Sequence, residues 1–384
     1  MSIETINEIL AEAISKASKI AVKNPQTPIL EYVHVEVMDA STVKISGYNL
    51  DTYVSQEVFV KTKDFDEKRK VSICVQGGLI LSFLALFGKN EKVELEITDS
   101  NVKITVMDQE STIRCVSALE YPKAPVNDSS IQDGVVDTQA LKLSSETIIE
   151  GVQAVSFASA VTSIKPELSC VLLSLQEETL VFVATDGFRL AEKKIPLKGI
   201  DSKSSDLEVF KQVLIPAKIW QDCLKVLPSN VSVSISIQKG LCFINYPEGS
   251  ISLRTVSGSY PNYKAILPNA FITNIEIDTD AFLQGLKVSH IFSDEFNYVK
   301  LDVADSSLLL NSKNSKVGES NSKKNILKKG ENISQSYNHR YLSDFVSKVK
   351  GDTITFDISG KATPSILKVK GDTTYTYLVM PMNR

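Results

Sequence analysis

Apolar positions along the chain fall into two rhythms, and both rhythms recur. Leu79, Ile80, Phe83, Leu84 and Phe87 follow the i, i+1, i+4, i+5, i+8 spacing of one helix face, and Gly88 ends the stripe. Ile219, Trp220, Cys223, Leu224 and Leu227 repeat it between Pro216 and Pro228. Tyr341, Leu342, Phe345, Val346 and Val349 repeat it again ahead of Gly351. The three stripes start roughly 120–140 residues apart, a period that signals an internal repeat. Three strand-like runs follow each stripe: 93–97, 102–106 and 112–116, then 231–237, 241–245 and 251–256, then 353–358, 365–370 and 375–380. Alternation such as Val231, Val233, Ile235, Ile237 marks strands with one buried face.

A second set of stripes obeys the same plan. Ile6, Ile9, Leu10, Ala13, Ile14 and Ala17 predict a helix followed by strands near 32–38 and 42–46. Ile148, Ile149, Val152 and Val155 predict one followed by 171–175 and 179–183, and Phe282, Leu283, Leu286 and Ile291 one followed by 299–303 and 308–311. Asp278 and Asp280 suit the start of that last helix. The chain thus reads as six helix-plus-strand halves paired into three α+β domains, 1–127, 128–268 and 269–384, with polar seams near 125–134 and 268–274. Two near-copies favour triplication over three unrelated domains: Tyr121-Pro122 closes the first unit and Tyr260-Pro261 closes the second. The segment 311–332, with six lysines among Ser, Asn and Gly, reads as a solvated loop.

Composition narrows the function classes. Apolar residues make up 43% and charged residues 23% of 384, as in ordinary globular chains. No apolar run nears the ~18 residues a membrane span needs, and Met1-Ser2-Ile3-Glu4 does not open a secretory signal, so a cytoplasmic protein without a membrane partner is expected. Cys74, Cys115, Cys170, Cys223 and Cys242 lie singly in apolar stretches and read as buried free thiols. His34, His290 and His339 are equally isolated, so neither a metal nor a cofactor is expected. No nucleophile–base pair, P-loop or G-x-G-x-x-G stands out, which removes the support for an enzyme. The net charge of −4 is not the bulk signature of a DNA-binding domain, although one basic surface on an acidic chain would escape that sum.

Four segments resemble the bacterial DNA polymerase III β-subunit family of sliding clamps. Val183-Ala184-Thr185-Asp186-Gly187-Phe188-Arg189-Leu190-Ala191 is similar to that family's A-T-D-G-H-R-L-A, and the stretch from Tyr260 to Pro268 to its F-P-D-Y-R-R-V-L-P. Tyr377-Leu378-Val379-Met380-Pro381-Met382 resembles the terminal Y-V-V-M-P-M, and Pro25-Gln26-Thr27-Pro28-Ile29-Leu30 the turn P-T-L-P-I-L. The matches fall in family order. They imply three repeated domains, each of two helices packed on outer β-sheets, closing as a head-to-tail homodimeric ring with helices lining a hole for duplex DNA. Joining strands edge to edge between domains would remove exposed sheet edges.

The resemblance also implies sites. A peptide pocket for the polymerase III catalytic subunit, the clamp loader and other peptide-motif proteins would comprise Leu168, Thr185, Gly187, Phe188, Arg189, Leu190, Pro261, Ile266, Leu378, Met380, Pro381 and Met382. Leucine, isoleucine and proline suit an apolar floor, methionine adapts to varied ligands, and Arg189 could bond peptide carbonyls or a carboxylate. Three departures alter that pocket: Phe188 for His, Ala265 for a basic residue, and Asn383-Arg384 for Arg-Leu. Without the resemblance, Asp186-Gly187 is a turn signal. Lys16, Lys19 and Lys23, Lys218 and Lys225, Lys287, and Arg340 with Lys348 would face the DNA channel. A solvated helix face explains any one of these groups, and recurrence points to phosphate contacts without base readout. Ile113 would meet Ile291 and Phe292 across the subunit interface. The competing reading is a triplicated α+β scaffold for protein–protein interaction without DNA encirclement.

Overall fold

The computed structural model describes residues 1–63, 65, 71–125, 140–162, 164–197 and 205–382. Most of the expected seam at 125–134, and Asn383 and Arg384, lie outside the described residues. One plan, a strand, a helix and three strands, occurs six times. The first copy is β1 (Ser2–Ile6), α1 (Asn7–Ile20), β2 (Val33–Val37), β3 (Thr42–Tyr48) and β4 (Thr52–Phe59), with a short β5 (Lys61–Lys63) appended. The second is β6 (Ser72–Val75), α2 (Gly77–Leu84), β7 (Lys92–Ile97), β8 (Asn101–Val106) and β9 (Gln109–Ser117). The third is β10 (Leu141–Ser144), α3 (Ser145–Val155), β11 (Cys170–Gln176), β12 (Thr179–Thr185) and β13 (Arg189–Pro196). The fourth is β14 (Val213–Pro216), α4 (Ala217–Val226), β15 (Ser232–Gln238), β16 (Leu241–Tyr246) and β17 (Gly249–Arg254). The fifth is β18 (Thr273–Asp278), α5 (Thr279–Ile291), β19 (Tyr298–Ala304), β20 (Ser307–Asn314) and β21 (Gly318–Asn325), with β22 (Leu327–Gly330) appended. The sixth is β23 (Ile333–Asn338), α6 (His339–Val346), β24 (Thr353–Ile358), β25 (Ser365–Val369) and β26 (Tyr375–Val379).

All six sequence stripes are helices. The opening strand of each copy is absent from the expected runs, because four to six residues hold too few alternations to stand out. These strands couple the copies in pairs. Each leaves its own copy and pairs with the first strand after the neighbouring helix: β1 with β7, β6 with β2, β10 with β15, β14 with β11, β18 with β24, and β23 with β19. The last strand of a copy then joins thirds of the chain edge to edge, β4 to β17 and β13 to β26. The result is a 13-stranded, a nine-stranded and a four-stranded sheet.

The strand joins also draw two compact units. Unit 1 holds Met1–Ile149, Ser205–Leu207 and Lys218–Thr255, and unit 2 holds Glu150–Ser204, Glu208–Ala217 and Val256–Arg384. In unit 1, Leu10, Ala13, Ile14 and Ala17 of α1 pack on Val33, Val35, Val43 and Ile45 and on Ile80 and Leu84 of α2. Gly47 of β3 lets the helix lie this close, since a Cβ there would come within 2.1 Å of the Ala17 carbonyl oxygen. In unit 2, Phe345 of α6 stacks on Tyr377 of β26 with ring centroids 4.8 Å apart. Asp278 caps α5 by accepting from the Ala281 N–H at 2.8 Å. All five cysteines are buried and free, and burial pushes the Cys74 and Cys242 thiols up to about 12 and Cys170 to about 11.

Two expectations need correction. Ile6 and Ile9 are largely exposed, because Ile6 precedes the helix and Ile9 turns outward; the buried stripe begins at Leu10 and continues to Ile20. The segment 311–332 is not a loop: β20 runs to Asn314, and β21 pairs with it from Ser307↔Asn325 to Asn314↔Gly318. Ser320, Ser322 and Lys324 are half-buried in alternation, and Lys324 Nζ donates to Gln284 Oε1 of α5 at 2.9 Å. Polar composition does not oppose a ladder made by backbone groups, and a lysine stem covers a helix as well as an apolar chain does.

Candidate functional site

The segment 183–191 forms a hairpin in unit 2. β12 ends at Thr185 and β13 begins at Arg189. Asp186 Oδ1 accepts from the N–H groups of Phe188 (2.9 Å) and Arg189 (3.0 Å). Thr185 Oγ1 accepts from the Gly187 N–H (3.1 Å) and donates to the Arg189 carbonyl (2.6 Å). Gly187 sits at φ 92°, where a side chain is disfavoured.

Arg189 is not the free peptide-binding guanidinium expected. Nε donates to Asp186 Oδ2 at 2.9 Å, Nη1 to Asp344 Oδ2 of α6, and Nη2 to the Phe157 carbonyl at 2.7 Å. The group also lies 4.4 Å from the Tyr341 ring centroid. It is a strut that ties the turn to α6 and to the short 3-10 turn Ser156–Ala158. Sequence alone hid this role, because Asp344, Tyr341 and Phe157 are distant in the chain.

The other pocket residues sort by depth. Leu190 and Leu378 are paired across β13 and β26 and wholly buried, in one apolar cluster with Leu172, Val183, Tyr260 and Tyr263. Thr185 is buried beside them. Met380 packs on the cluster, and its N–H donates to the Phe188 carbonyl at 2.8 Å; the Met382 N–H donates to the Ser336 carbonyl at 2.8 Å. Leu168, Pro381 and Met382 are half-buried. Gly187, Pro261, Phe188 and Ile266 are exposed, Phe188 at 63%. A residue not anticipated holds the rim: buried Glu192 accepts from the Tyr263 hydroxyl at 2.6 Å, fixing the stretch between Pro261 and Ile266 to β13. The arrangement is a buried aliphatic floor with an exposed aromatic and aliphatic rim, suited to apolar side chains of an extended ligand.

Unit 1 carries the same turn with different chemistry. Asn49 Oδ1 accepts from the N–H groups of Asp51 (3.1 Å) and Thr52 (2.7 Å), Leu50 takes φ 76°, and the Arg254 N–H donates to the Asp51 carbonyl at 2.8 Å. Arg254 therefore stands where Met380 does, and it lies 3.5 Å from the Asp51 carboxylate. Among the described residues these two turns share one backbone plan, and the apolar cluster with a methionine rim accompanies the one in unit 2.

The basic residues do not share one environment. Lys16 is buried, with Nζ bonded to Gln56 Oε1 at 3.1 Å and to Glu12 at 2.8 Å, so it is a structural cation and not part of an open face. Lys19 is exposed, and its Nζ donates to the Lys225 carbonyl at 3.2 Å, while Lys225 pairs with Asp222 at 2.6 Å. Lys23, Lys218, Lys287, Arg340 and Lys348 are exposed, with Lys23 beyond the end of α1 and Lys348 beyond the end of α6. Ile113 lies half-buried on β9, Ile291 is 63% exposed at the end of α5, and Phe292 follows it.

Known proteins match this architecture throughout. Sequence models of the DNA polymerase III beta subunit match in order: the N-terminal domain over residues 1–125, the central domain over 142–262 and the C-terminal domain over 264–383. The beta sliding clamp of Synechococcus elongatus is 25% identical over 379 residues, covering 97% of this chain and 96% of that one. The beta sliding clamp of Staphylococcus aureus is 22% identical over 369 residues, covering 94% and 93%. Crystal structures of the DNA polymerase III beta subunit from Thermotoga maritima (TM-score 0.86, 20% identity, covering 100% of this chain and 99% of that one) and Pseudomonas aeruginosa (TM-score 0.87, 18% identity, covering 100% of each) share the fold. With all three domain models of one subunit matched in succession on a chain built from six copies of one plan, the chain belongs to the DNA polymerase III beta subunit family, the beta sliding clamps.

Proposed function

We propose that two copies of this chain close head to tail around duplex DNA. The observation that carries the reading is a pairing deficit. Of the six last strands, β4 and β17 pair, as do β13 and β26; among the described residues β9 and β21 have no such partner. Among the described residues, β9 from Gln109 to Arg114 is bonded on one side by β8 alone, and β21 is bonded by β20 alone. An open strand edge is a template for another chain, and β9 of one copy against β21 of the next closes a cyclic assembly and covers both of these edges. The apolar groups fit: Ile113 lies on β9, and the Phe292 ring approaches β21 at Gly318.

Family membership makes the chain a non-catalytic processivity factor. In this reading the three domains span 1–127, 128–268 and 269–384, exposed Lys19, Lys23, Lys218, Lys225, Lys287, Arg340 and Lys348 contact phosphates, and the apolar site around Leu190 and Met380 holds peptide tails of the polymerase III catalytic subunit and the clamp loader. Such contacts weaken with salt and carry no sequence information, as sliding requires. No helix among the described residues is long and apolar enough to cross a membrane, in keeping with work in the cytoplasm. The test is twofold. Sedimentation equilibrium should give twice the 42.2 kDa chain mass, and the chain should lengthen polymerase products on a primed circular template. A monomer at micromolar concentration, or products of unchanged length, would count against the ring.

A further inference from the structure

Two of the three histidines, distant in the sequence, meet in unit 2. His290 lies in the last turn of α5 and His339 opens α6, and these helices pack on each other. His290 Nδ1 faces His339 Nε2 at 3.4 Å, with ring centroids 5.0 Å apart and planes at 50°. That separation is long for a hydrogen bond between ring nitrogens. Ser293 Oγ donates to the His290 carbonyl at 3.0 Å and stands 3.1 Å from His339 Nε2. A proton on His339 Nε2 therefore goes to the nearer Ser293 Oγ, and His290 Nδ1 converges on that nitrogen with no short bond to explain it. His339 is 2% exposed and His290 is exposed, so the pair is fixed on one side and open on the other.

A bound ion accounts for the separation. An ion about 2.0–2.1 Å from each nitrogen, the ordinary zinc–imidazole distance, sees a 3.4 Å pair under roughly 110°, the tetrahedral angle. Imidazoles suit zinc, copper and nickel and bind uncharged, so the site needs no local excess of carboxylates. The charges around it are mixed. Arg340 opposes a cation at His339, and Asp344 favours one but is shared with Arg189. Lys287 and Glu295 flank His290 along the chain, both exposed, and Asp294 accepts from the N–H groups of Phe296 and Tyr298. Among the described residues no third His, Cys, Asp or Glu joins the pair, which leaves the remaining coordination positions to water.

We propose that His290 and His339 bind one divalent transition ion, zinc or copper(II), and so clamp the end of α5 to the start of α6. The site lies within one chain and does not rest on the ring reading. The test uses the full-length chain, freed of metal with EDTA and dialysed near neutral pH. It is titrated with zinc chloride by calorimetry and with copper(II) by pulsed EPR. One ion per chain is expected, with two imidazoles coupled to the copper. His290→Ala should weaken zinc binding at least about tenfold, since even an outer partner of a metal ligand is worth that much, and should abolish the two-imidazole signal. The His290 side chain is exposed, so the metal-free variant should unfold at the wild-type temperature, and zinc should raise only the wild-type midpoint. Replacing the third histidine, His34→Gln, should leave zinc affinity and the copper signal intact. Equal zinc affinity in wild type and His290→Ala, or loss of the two-imidazole signal in His34→Gln, would overturn the proposal. So would a lack of saturable binding below about 1 mM.

Discussion

Replacing Arg189 with alanine should loosen the turn at the proposed peptide site and separate peptide binding from assembly. Its side chain is 10% exposed and bridges Asp186, Asp344 and the Phe157 carbonyl. Removing one member of a dry ionic cluster costs roughly 3–5 kcal/mol. Asp344 is 45% exposed, so it rehydrates when its partner goes, and its share shrinks to that of a surface pair, below about 1 kcal/mol. Asp186, at 13%, the Phe157 carbonyl and the Tyr341 face have less access to water, which leaves a net loss of about 2–3 kcal/mol. Lysine keeps the charge but cannot span three acceptors, so Arg189→Lys should fall between alanine and wild type. Urea unfolding of unit 2 at fixed protein concentration measures the cost, since assembly adds stability by mass action. Affinity for a polymerase-tail peptide should drop about tenfold or more, equivalent to losing ~1.4 kcal/mol, while the dimer mass persists. Wild-type unfolding and wild-type affinity in Arg189→Ala would refute the strut.

Changing Ile291 and Phe292 to polar residues should yield monomers by sedimentation at micromolar concentration; a retained dimer removes them from the interface. Lys19→Glu, Lys23→Glu and Lys218→Glu together should weaken DNA retention while costing under about 0.5 kcal/mol each in stability. Lys16→Glu should instead destabilise unit 1 by on the order of 2–4 kcal/mol, because its carboxylate would lie buried beside Glu12; equal thermal stability of the two variants would contradict that division. His339 is buried 3.4 Å from His290, and burial first, then His290 and Arg340, lower it from the ordinary 6.5 to about 4, against the opposing pull of Asp344. Its neutral form belongs to the fold, so stability is full above pH 6.5 and is lost as pH falls toward 4, by about 2–3 kcal/mol. His339→Gln should flatten that dependence, and identical urea midpoint profiles against pH would dismiss it.

The helices were legible because each buries a stripe at a 3.6-residue period, and the repeat was legible because that stripe returned six times. Leu190, Leu378 and Met380 could be named from their segments. Their depth could not: Leu190 and Leu378 are core, so Leu190→Asp would test folding before it tested peptide binding. Lys16 shares its helix spacing with Lys19 and Lys23, yet Gln56 and Tyr246, far along the chain, decide that it is buried. The Arg189 strut and the Glu192–Tyr263 bond were hidden for the same reason. Spacing reports on a face of one element, whereas a charge is placed by what packs against that face. The edges of β9 from Gln109 to Arg114 and of β21, unpaired among the described residues, emerge only from the full strand register.

Retention on DNA of defined topology tests the ring most directly. The labelled chain is loaded by a clamp loader and ATP onto a singly nicked circular plasmid, freed of unbound protein by gel filtration, and split into samples with and without linearisation at one restriction site. Encirclement predicts that the chain stays with the circle at salt high enough to strip phosphate contacts and runs off the linear ends. Equal retention on circular and linear DNA, or release from both at the same salt, would contradict it.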